Sequence, residues 1–137
     1  MTNSTITKGF IASGLSNTIA VLIFTKGFTN DVIPETDPVV MSYFGLLMIM
    51  VWGVAYMAVS KSFEKVKWLI GVFVIEKLAY VIAYVHWFTN NSLQEVYDQD
   101  LLAGMFFSVY GLNDFIFMLF FGYVFLKIKP SPKTPAH

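Results

Sequence analysis

Residues 68–88 read WLIGVFVIEKLAYVIAYVHWF, an apolar run with Glu76 and Lys77 at its centre. Residues 101–126 read LLAGMFFSVYGLNDFIFMLFFGYVFL and hold Asp114 near the middle. A helix of about 20 apolar residues is long enough to cross a bilayer. Ionisable groups at the centre of such helices usually face a bundle interior and mark a functional site. The two runs therefore predict membrane-spanning helices with a charged site between them.

Two further apolar runs, residues 9–28 and 38–60, bring the predicted spans to four. Charged residues make up 13% of the chain, against about 25% in a typical soluble domain. We therefore predict an all-α integral membrane protein, folded as one four-helix bundle over residues 1–137. Residues 127–137 form a short basic tail. Acidic and basic residues balance at nine each, so no nucleic-acid partner is expected.

The lysines predict how the bundle is oriented. Lys26 is the only lysine in the two connections that follow the first and third spans, and both of these are otherwise acidic. Seven of the nine lysines lie in the remaining segments, namely Lys8, Lys61, Lys65, Lys67, Lys127, Lys129 and Lys133. Lysine-rich segments stay on the cytoplasmic side of a membrane. Both termini are therefore predicted to be cytoplasmic.

Polar and aromatic side chains from all four predicted spans fall at similar depth. A rise of about 1.5 Å per residue places five of them within a layer of roughly 6 Å near mid-membrane. These five are Asn17, Trp52, Glu76, Lys77 and Asp114. Tyr56 lies a turn nearer the cytoplasm, and Tyr80 lies on the outward side. We interpret all seven residues as the candidate ligand-binding site.

The charges in this layer allow two interpretations. Lys77 and Asp114 are predicted to form a buried ion pair, because charges at this depth need partners. Glu76 then has no cation, and we expect it to be protonated or hydrogen bonded to Asn17 or Tyr80. A carboxyl of this kind suits a proton relay or a cation pocket. The alternative is that the charges only fix the packing of the helices.

No cofactor or metal site is predicted. The chain has no cysteine, which excludes thiolate catalysis and disulfide exchange by its own residues. Its two histidines are His86, at the outward end of the third span, and His137, the last residue. They are therefore expected at opposite ends of the bundle, which disfavours haem held between them. His86 has too few other ligands at its own depth for a zinc site.

A short internal repeat accompanies the four spans. Residues 27–31 read GFTND and residues 87–91 read WFTNN, an offset of 60 that sets Asn17 opposite Lys77. The repeat predicts a pseudo-two-fold bundle with a site at the interface of its halves.

Three segments carry a family resemblance: Trp52–Tyr56 (WGVAY), Glu76–Tyr80 (EKLAY) and Asn113–Phe115 (NDF). Together with the polar-centred first span, they resemble the small four-span bacterial inner-membrane proteins loosely called DoxX-like. The resemblance covers nearly the whole chain as a pattern. It implies a four-helix protein of the bacterial inner membrane and assigns no catalytic residue.

Three classes of function fit these observations. The favoured class is a non-enzymatic binding or accessory protein whose mid-membrane site takes a lipid, a quinone or a small hydrophobic ligand. A structural or assembly subunit of a membrane complex is the second class. The third is a small proton-coupled transporter acting as a homodimer, or a membrane enzyme, although no nucleophile–base pair is visible. The expected partners are membrane lipids, a hydrophobic ligand, and a second copy or another membrane protein.

Overall fold

The computed structural model describes residues 1–130, and all regular structure within them is helical. The helices are α1 (Asn3–Phe24), α2 (Val32–Thr36), α3 (Tyr43–Val59), α4 (Lys67–Asn90), α5 (Leu93–Gln99) and α6 (Leu101–Lys127), with a 3-10 turn at Phe63–Lys65. By length and composition, α1, α4 and α6 are able to cross a membrane, and α3 is an apolar helix of 17 residues. The all-helical class is therefore confirmed, and the lengths of α1, α4 and α6 indicate a membrane protein. We refer to these three helices and α3 together as the long helices, to distinguish them from α2 and α5. The part of the predicted basic tail beyond Pro130 lies outside the described residues.

Helix α1 begins and ends earlier than its apolar run. At its start, the side chain of Thr2 accepts a hydrogen bond from the backbone N–H of Thr5 at 3.2 Å. At its end, Lys26, Gly27 and Phe28 have φ angles of 51°, 64° and 65°, which cannot continue a right-handed helix. Capping and backbone conformation, rather than hydrophobicity, therefore set the ends of this helix, and the membrane span expected at about residues 9–28 stays a prediction.

Helix α3 is shorter than the predicted span 38–60. The Ser42 hydroxyl accepts a hydrogen bond from the N–H of Gly45 at 3.0 Å and caps the helix just before Tyr43. Ahead of it, the N–H of Val40 donates to the Asp37 carboxylate in a turn. The helix therefore starts at Tyr43, inside the span expected at about residues 38–60. The predicted spans 68–88 and 101–126 agree with α4 and α6 to within two residues.

Contacts between distant segments fix the direction of each long helix. The Asn3 amide donates to Glu64 at 2.8 Å, which joins the start of α1 to the α3–α4 connection. Lys127 donates to the backbone oxygen of Met1, so the end of α6 lies at the same place. We call this the terminal end, and the opposite end the hairpin end. Successive long helices therefore run in alternating directions.

Asp100 ties the hairpin end together. One carboxylate oxygen accepts from Lys26 Nζ at 2.8 Å, and the other accepts from the Asn30 amide and from the N–H of Ala103. The last bond caps the N-terminus of α6. The hydrogen bond from Lys26 is the main cause that lowers the pKa of Asp100 to about 2. A single side chain thus connects the turn after α1 to the start of α6.

Each half of the chain is a long helix, a short helix and a second long helix. Helix α1 packs along α3, α4 packs along α6, and α1 also contacts α6. The halves therefore share the architecture that the repeat predicts. The repeated letters themselves differ in conformation, since residues 27–30 form a turn whereas residues 87–90 end helix α4.

Glycines let the helices of each pair approach closely. A Cβ placed on Gly53 of α3 would lie 2.8 Å from the backbone oxygen of Gly14 and 2.7 Å from the Cβ of Asn17. A Cβ on Gly111 of α6 would lie 2.1 Å from the Tyr84 ring of α4. Both contacts leave no room for a side chain, so both pairs depend on glycine at the crossing.

The core consists of two apolar clusters. The terminal cluster comprises Ile6, Phe10, Tyr56, Phe63, Ile70, Phe73, Phe121, Val124 and Ile128. The hairpin cluster comprises Val21, Ile33, Met41, Leu46, Ile49, Trp87, Val96, Ala103, Phe106, Phe107 and Tyr110. Asn17, Lys77 and Asp114 lie between them along α1, α4 and α6. The buried polar side chains therefore form a layer that separates two apolar halves.

Candidate functional site

Lys77 is the centre of the polar layer. Its side chain is 1% exposed, and its Nζ donates to Asp114 Oδ1 at 2.6 Å and to Asn17 Oδ1 at 3.1 Å. The same ammonium stands 5.2 Å from the centre of the Tyr56 ring. An ammonium has three hydrogens, so two acceptors and an aromatic face account for its hydrogen-bonding capacity. The predicted ion pair is confirmed.

Asn17 extends this network to the fourth long helix. Its amide nitrogen donates to the backbone oxygen of Ile49 in α3 at 3.1 Å, while its oxygen accepts from Lys77. Both ends of one amide are therefore used between helices. Asn17 and Lys77, which the 60-residue offset aligns with each other, are thus joined by a hydrogen bond between α1 and α4.

Glu76 has a different partner from the two we expected. Its Oε2 accepts a hydrogen bond from the Tyr56 hydroxyl, whereas Asn17 is already engaged by Lys77 and Ile49. The expected bond to Asn17 or Tyr80 is therefore wrong. Glu76 is 7% exposed, and its Oε1 is buried with no hydrogen-bond partner among the described residues. This oxygen is the one unsatisfied atom of the layer within residues 1–130.

Five of the seven predicted site residues meet, and we call them the polar network: Asn17, Tyr56, Glu76, Lys77 and Asp114. Trp52 is half-buried and packs edge-on against Phe73, with ring centres 6.1 Å apart. Tyr80 is half-buried and packs against the hairpin cluster. The structure therefore does not bring Trp52 or Tyr80 into the network.

The polar network is buried. Four grooves, with volumes from 170 to 650 Å³, are lined by residues other than the seven predicted ones. Within residues 1–130, no group of three His, Cys, Asp or Glu side chains is placed to hold a metal ion. The arrangement is suited to holding an ion pair and one further carboxyl out of water, at the junction of four helices.

A groove that the sequence pattern did not predict lies beside the polar network. It lies between α1 and α6, has a volume of 170 Å³, and carries Ser16, Tyr110 and Asn113 among apolar walls. The Tyr110 hydroxyl is buried with no hydrogen-bond partner among the described residues. A signal did exist in the sequence, because Ser16 and Asn113 directly precede Asn17 and Asp114.

Comparisons with protein-family models, with curated proteins and with solved structures returned no match. The resemblance to DoxX-like proteins gains no support from them and stays a prediction.

Proposed function

We propose that this protein is a four-span membrane protein with both termini in the cytoplasm, and that it binds a small hydrophobic ligand without catalysing a reaction. The groove between α1 and α6 is the observation that carries this proposal. It brings polar side chains to the outer surface of an apolar helix pair, at the depth of the polar network.

The orientation rests on charge and on contacts. Lysines concentrate in the segments at the terminal end, where Met1 contacts Lys127 and Asn3 contacts Glu64. Lysine-rich segments stay cytoplasmic. A reporter that is active only outside the cytoplasm, fused after His137, should therefore be silent, and the same reporter inserted in the acidic loop after α1 should be active. Activity of the first fusion would contradict the orientation.

The size of the groove limits the ligand. An apolar cavity of about 150 Å³ holds a benzene molecule, so a groove of 170 Å³ accepts one ring or a head group of that size. Ser16 and Asn113 offer hydrogen bonds to a polar substituent on that ring. A longer apolar tail would remain in the surrounding lipid. These properties suit a quinone-like head group or another small amphiphile.

The test is to identify small molecules that stay with the protein during purification in mild detergent, by mass spectrometry. Ala20 lines the groove, so Ala20→Phe should fill it and remove the bound molecule. Ala12→Phe is the matched control, because Ala12 is an exposed position of the same helix outside the groove. A molecule held equally by both variants, or by neither, would contradict the proposal.

A second candidate function is a structural or assembly subunit, and the burial of the polar network favours it. Such a subunit would retain a partner protein in fixed stoichiometry, and it would lose neither partner nor stability in Ala20→Phe. The same purification therefore separates the two candidates.

A further inference from the structure

A larger groove lies between α4 and α6, near the terminal end. Its volume is 650 Å³, and its walls are almost entirely apolar. Residues from both helices line it, including Trp68, Gly71, Val72, Ile75, Gly122 and Leu126. We call it the α4–α6 groove. None of its lining residues belongs to the polar network or lines the smaller groove between α1 and α6.

Gly122 has no role in packing the protein against itself. A Cβ placed on it would meet no atom within 4 Å, whereas Gly53 and Gly111 occupy positions where a Cβ would clash. Glycine inside a helix is less stable than alanine, so a glycine in open space brings no benefit to the isolated fold. Because Gly122 has no side chain, the groove is deeper at this position than it would be with any other residue. This indicates that something outside the chain occupies the groove.

The edge of the groove is basic. The Nζ of Lys67 stands 4.8 Å from the centre of the Phe125 ring, which lines the groove, and it donates to the Ile128 backbone oxygen. Lys65 is exposed two residues before Lys67, and Lys129 is exposed next to Ile128, where it lines a separate cavity with Asn3 and Glu64. Glu64, the only carboxylate in the segments of this end, is engaged by Asn3. The groove therefore combines an apolar floor with one lysine, Lys67, at its edge, and two further lysines lie within two residues of Lys67 and Ile128.

Trp68 marks the depth of this edge. Its side chain is 77% exposed and lies at the mouth of the groove, one residue from Lys67. Tryptophan is enriched where hydrocarbon meets lipid head groups, and basic residues beside a membrane attract anionic lipids. An acyl chain in the groove would thus place its phosphate beside the lysines.

We propose that the α4–α6 groove is a binding site for an anionic phospholipid, with one acyl chain on Gly71 and Gly122 and the phosphate beside Lys65, Lys67 and Lys129. A second copy of the chain fits less well. A symmetric dimer presents the same surface from both subunits, so pairing through this groove would set one basic edge near the other. The proposal requires only that the protein lies in a membrane, and it is independent of the ligand proposed for the smaller groove.

The test is native mass spectrometry of the purified full chain. The protein is mixed with equal amounts of phosphatidylglycerol and phosphatidylcholine that carry identical acyl chains. We expect one phosphatidylglycerol per chain, retained at least tenfold over phosphatidylcholine.

Three test variants and two control variants distinguish the two parts of the site, which are the apolar groove and the lysines beside it. Gly122→Leu should lower retention of phosphatidylglycerol about tenfold, because the leucine fills the groove, whereas Leu112→Phe on the exposed surface of α6 should not. Trp68→Ala combined with Leu126→Ala removes two exposed walls and should act like Gly122→Leu without involving the core. Lys65→Gln with Lys129→Gln should lower the preference for phosphatidylglycerol to what Lys67 alone provides. Lys8→Gln with Lys61→Gln, an equal change of charge at other exposed positions, should preserve it.

Each other outcome would overturn the proposal. Equal retention of the two lipids, or loss of preference with both lysine pairs, would show a nonspecific lipid surface. A dimer that separates in Gly122→Leu would assign the groove to a second copy. If Ala20→Phe loses a bound molecule while Gly122→Leu changes nothing, the ligand proposal stands and this one fails.

Discussion

The Nζ of Lys77 lies 2.6 Å from Oδ1 of Asp114, and the two side chains are 1% and 9% exposed. Neither ion is solvated by bulk water, so each depends on the other for its compensation. The contact joins α4 to α6, and through Asn17 it reaches α1 and α3. A change at either residue therefore affects four helices.

Removing one member of this pair should be more damaging than removing both. Lys77→Met and Asp114→Leu are each expected to lower the free energy of unfolding by about 3–5 kcal/mol, because each leaves a buried charge without its partner. The double variant should lose less than either single variant. Denaturant titration of helical content in detergent measures all three. Additive losses would refute the coupling between the two residues.

The Lys26–Asp100 contact supplies a matched control. Its N–O distance of 2.8 Å is similar, but Lys26 is 48% exposed. A double-mutant cycle on this exposed pair should give a coupling of about 1 kcal/mol or less. The difference between this coupling energy and the one measured for Lys77 and Asp114 gives the effect of burial on an ion pair.

Tyr56 and Glu76 form the second coupled pair. Tyr56→Phe keeps the ring contacts with Phe73 and Phe121 but leaves the carboxyl without its hydrogen bond, so we expect a loss of about 1–3 kcal/mol. Glu76→Gln should lose less, because the amide oxygen still accepts from Tyr56. Unfolding titrations of both variants test this order. Equal stability of Tyr56→Phe and the wild type would contradict it.

The Glu76→Gln variant also tests whether this carboxyl has a function. Its fold should be retained, and a functional carboxyl should lose its cellular role, because glutamine does not titrate. The measurement is complementation of a deletion strain that shows a phenotype. Full complementation would leave Glu76 with a structural role only.

Two glycines should respond oppositely to alanine. Gly53→Ala places its Cβ 2.7 Å from the Cβ of Asn17, so it should destabilise the α1–α3 crossing by about 1–3 kcal/mol. Gly122→Ala meets no atom within 4 Å and should raise stability by about 0.5–1 kcal/mol. Paired thermal melts in the same detergent give both values. A loss at Gly122 as large as that at Gly53 would show that the groove floor is packed by the protein itself.

Acid should release the Asp100 contact at low pH only. The pKa of Asp100 is about 2 in the folded protein, against an ordinary value of 3.8. The carboxylate is thus favoured by folding, and its contribution is complete above about pH 4 and disappears as the pH falls towards 2. Asp100→Asn should lose this dependence. The measurement is the difference in unfolding free energy between wild type and variant from pH 6 to pH 2, which should shrink with acid; a constant difference would contradict it.

The sequence predicts the long helices and the ion pair well. Hydrophobic length identifies α4 and α6 to within two residues, and the rule that buried charges need partners pairs Lys77 with Asp114. Both inferences succeed because the free energies concerned, those of placing an apolar helix and of burying an unpaired charge, are larger than the differences that local hydrogen bonds make.

Local hydrogen bonds explain what the sequence analysis missed. The ends of α1 and α3 are set by Thr2 and Ser42, whose caps are worth little beside the hydrophobic pattern but decide where each helix starts. The partner of Glu76 depends on which way the Tyr56 side chain points, and depth along a helix does not determine that direction. The shape of a groove follows from side chains in three dimensions, so the sequence offered only the polar neighbours Ser16 and Asn113 as a hint of the smaller groove.

The shortness of α3 has a consequence for the surrounding bilayer. At about 1.5 Å per residue its 17 residues span roughly 25 Å, whereas the 27 residues of α6 span roughly 40 Å. A hydrocarbon layer of about 30 Å is thicker than the length of α3, whereas α6 is long enough to cross it. In the four-span arrangement proposed above, lipid beside α3 would therefore thin, while α6 would tilt or extend into the head groups. The mismatch between helix length and bilayer thickness therefore differs from one side of the protein to the other. Lipids with shorter acyl chains should reduce the mismatch at α3 and so stabilise the protein.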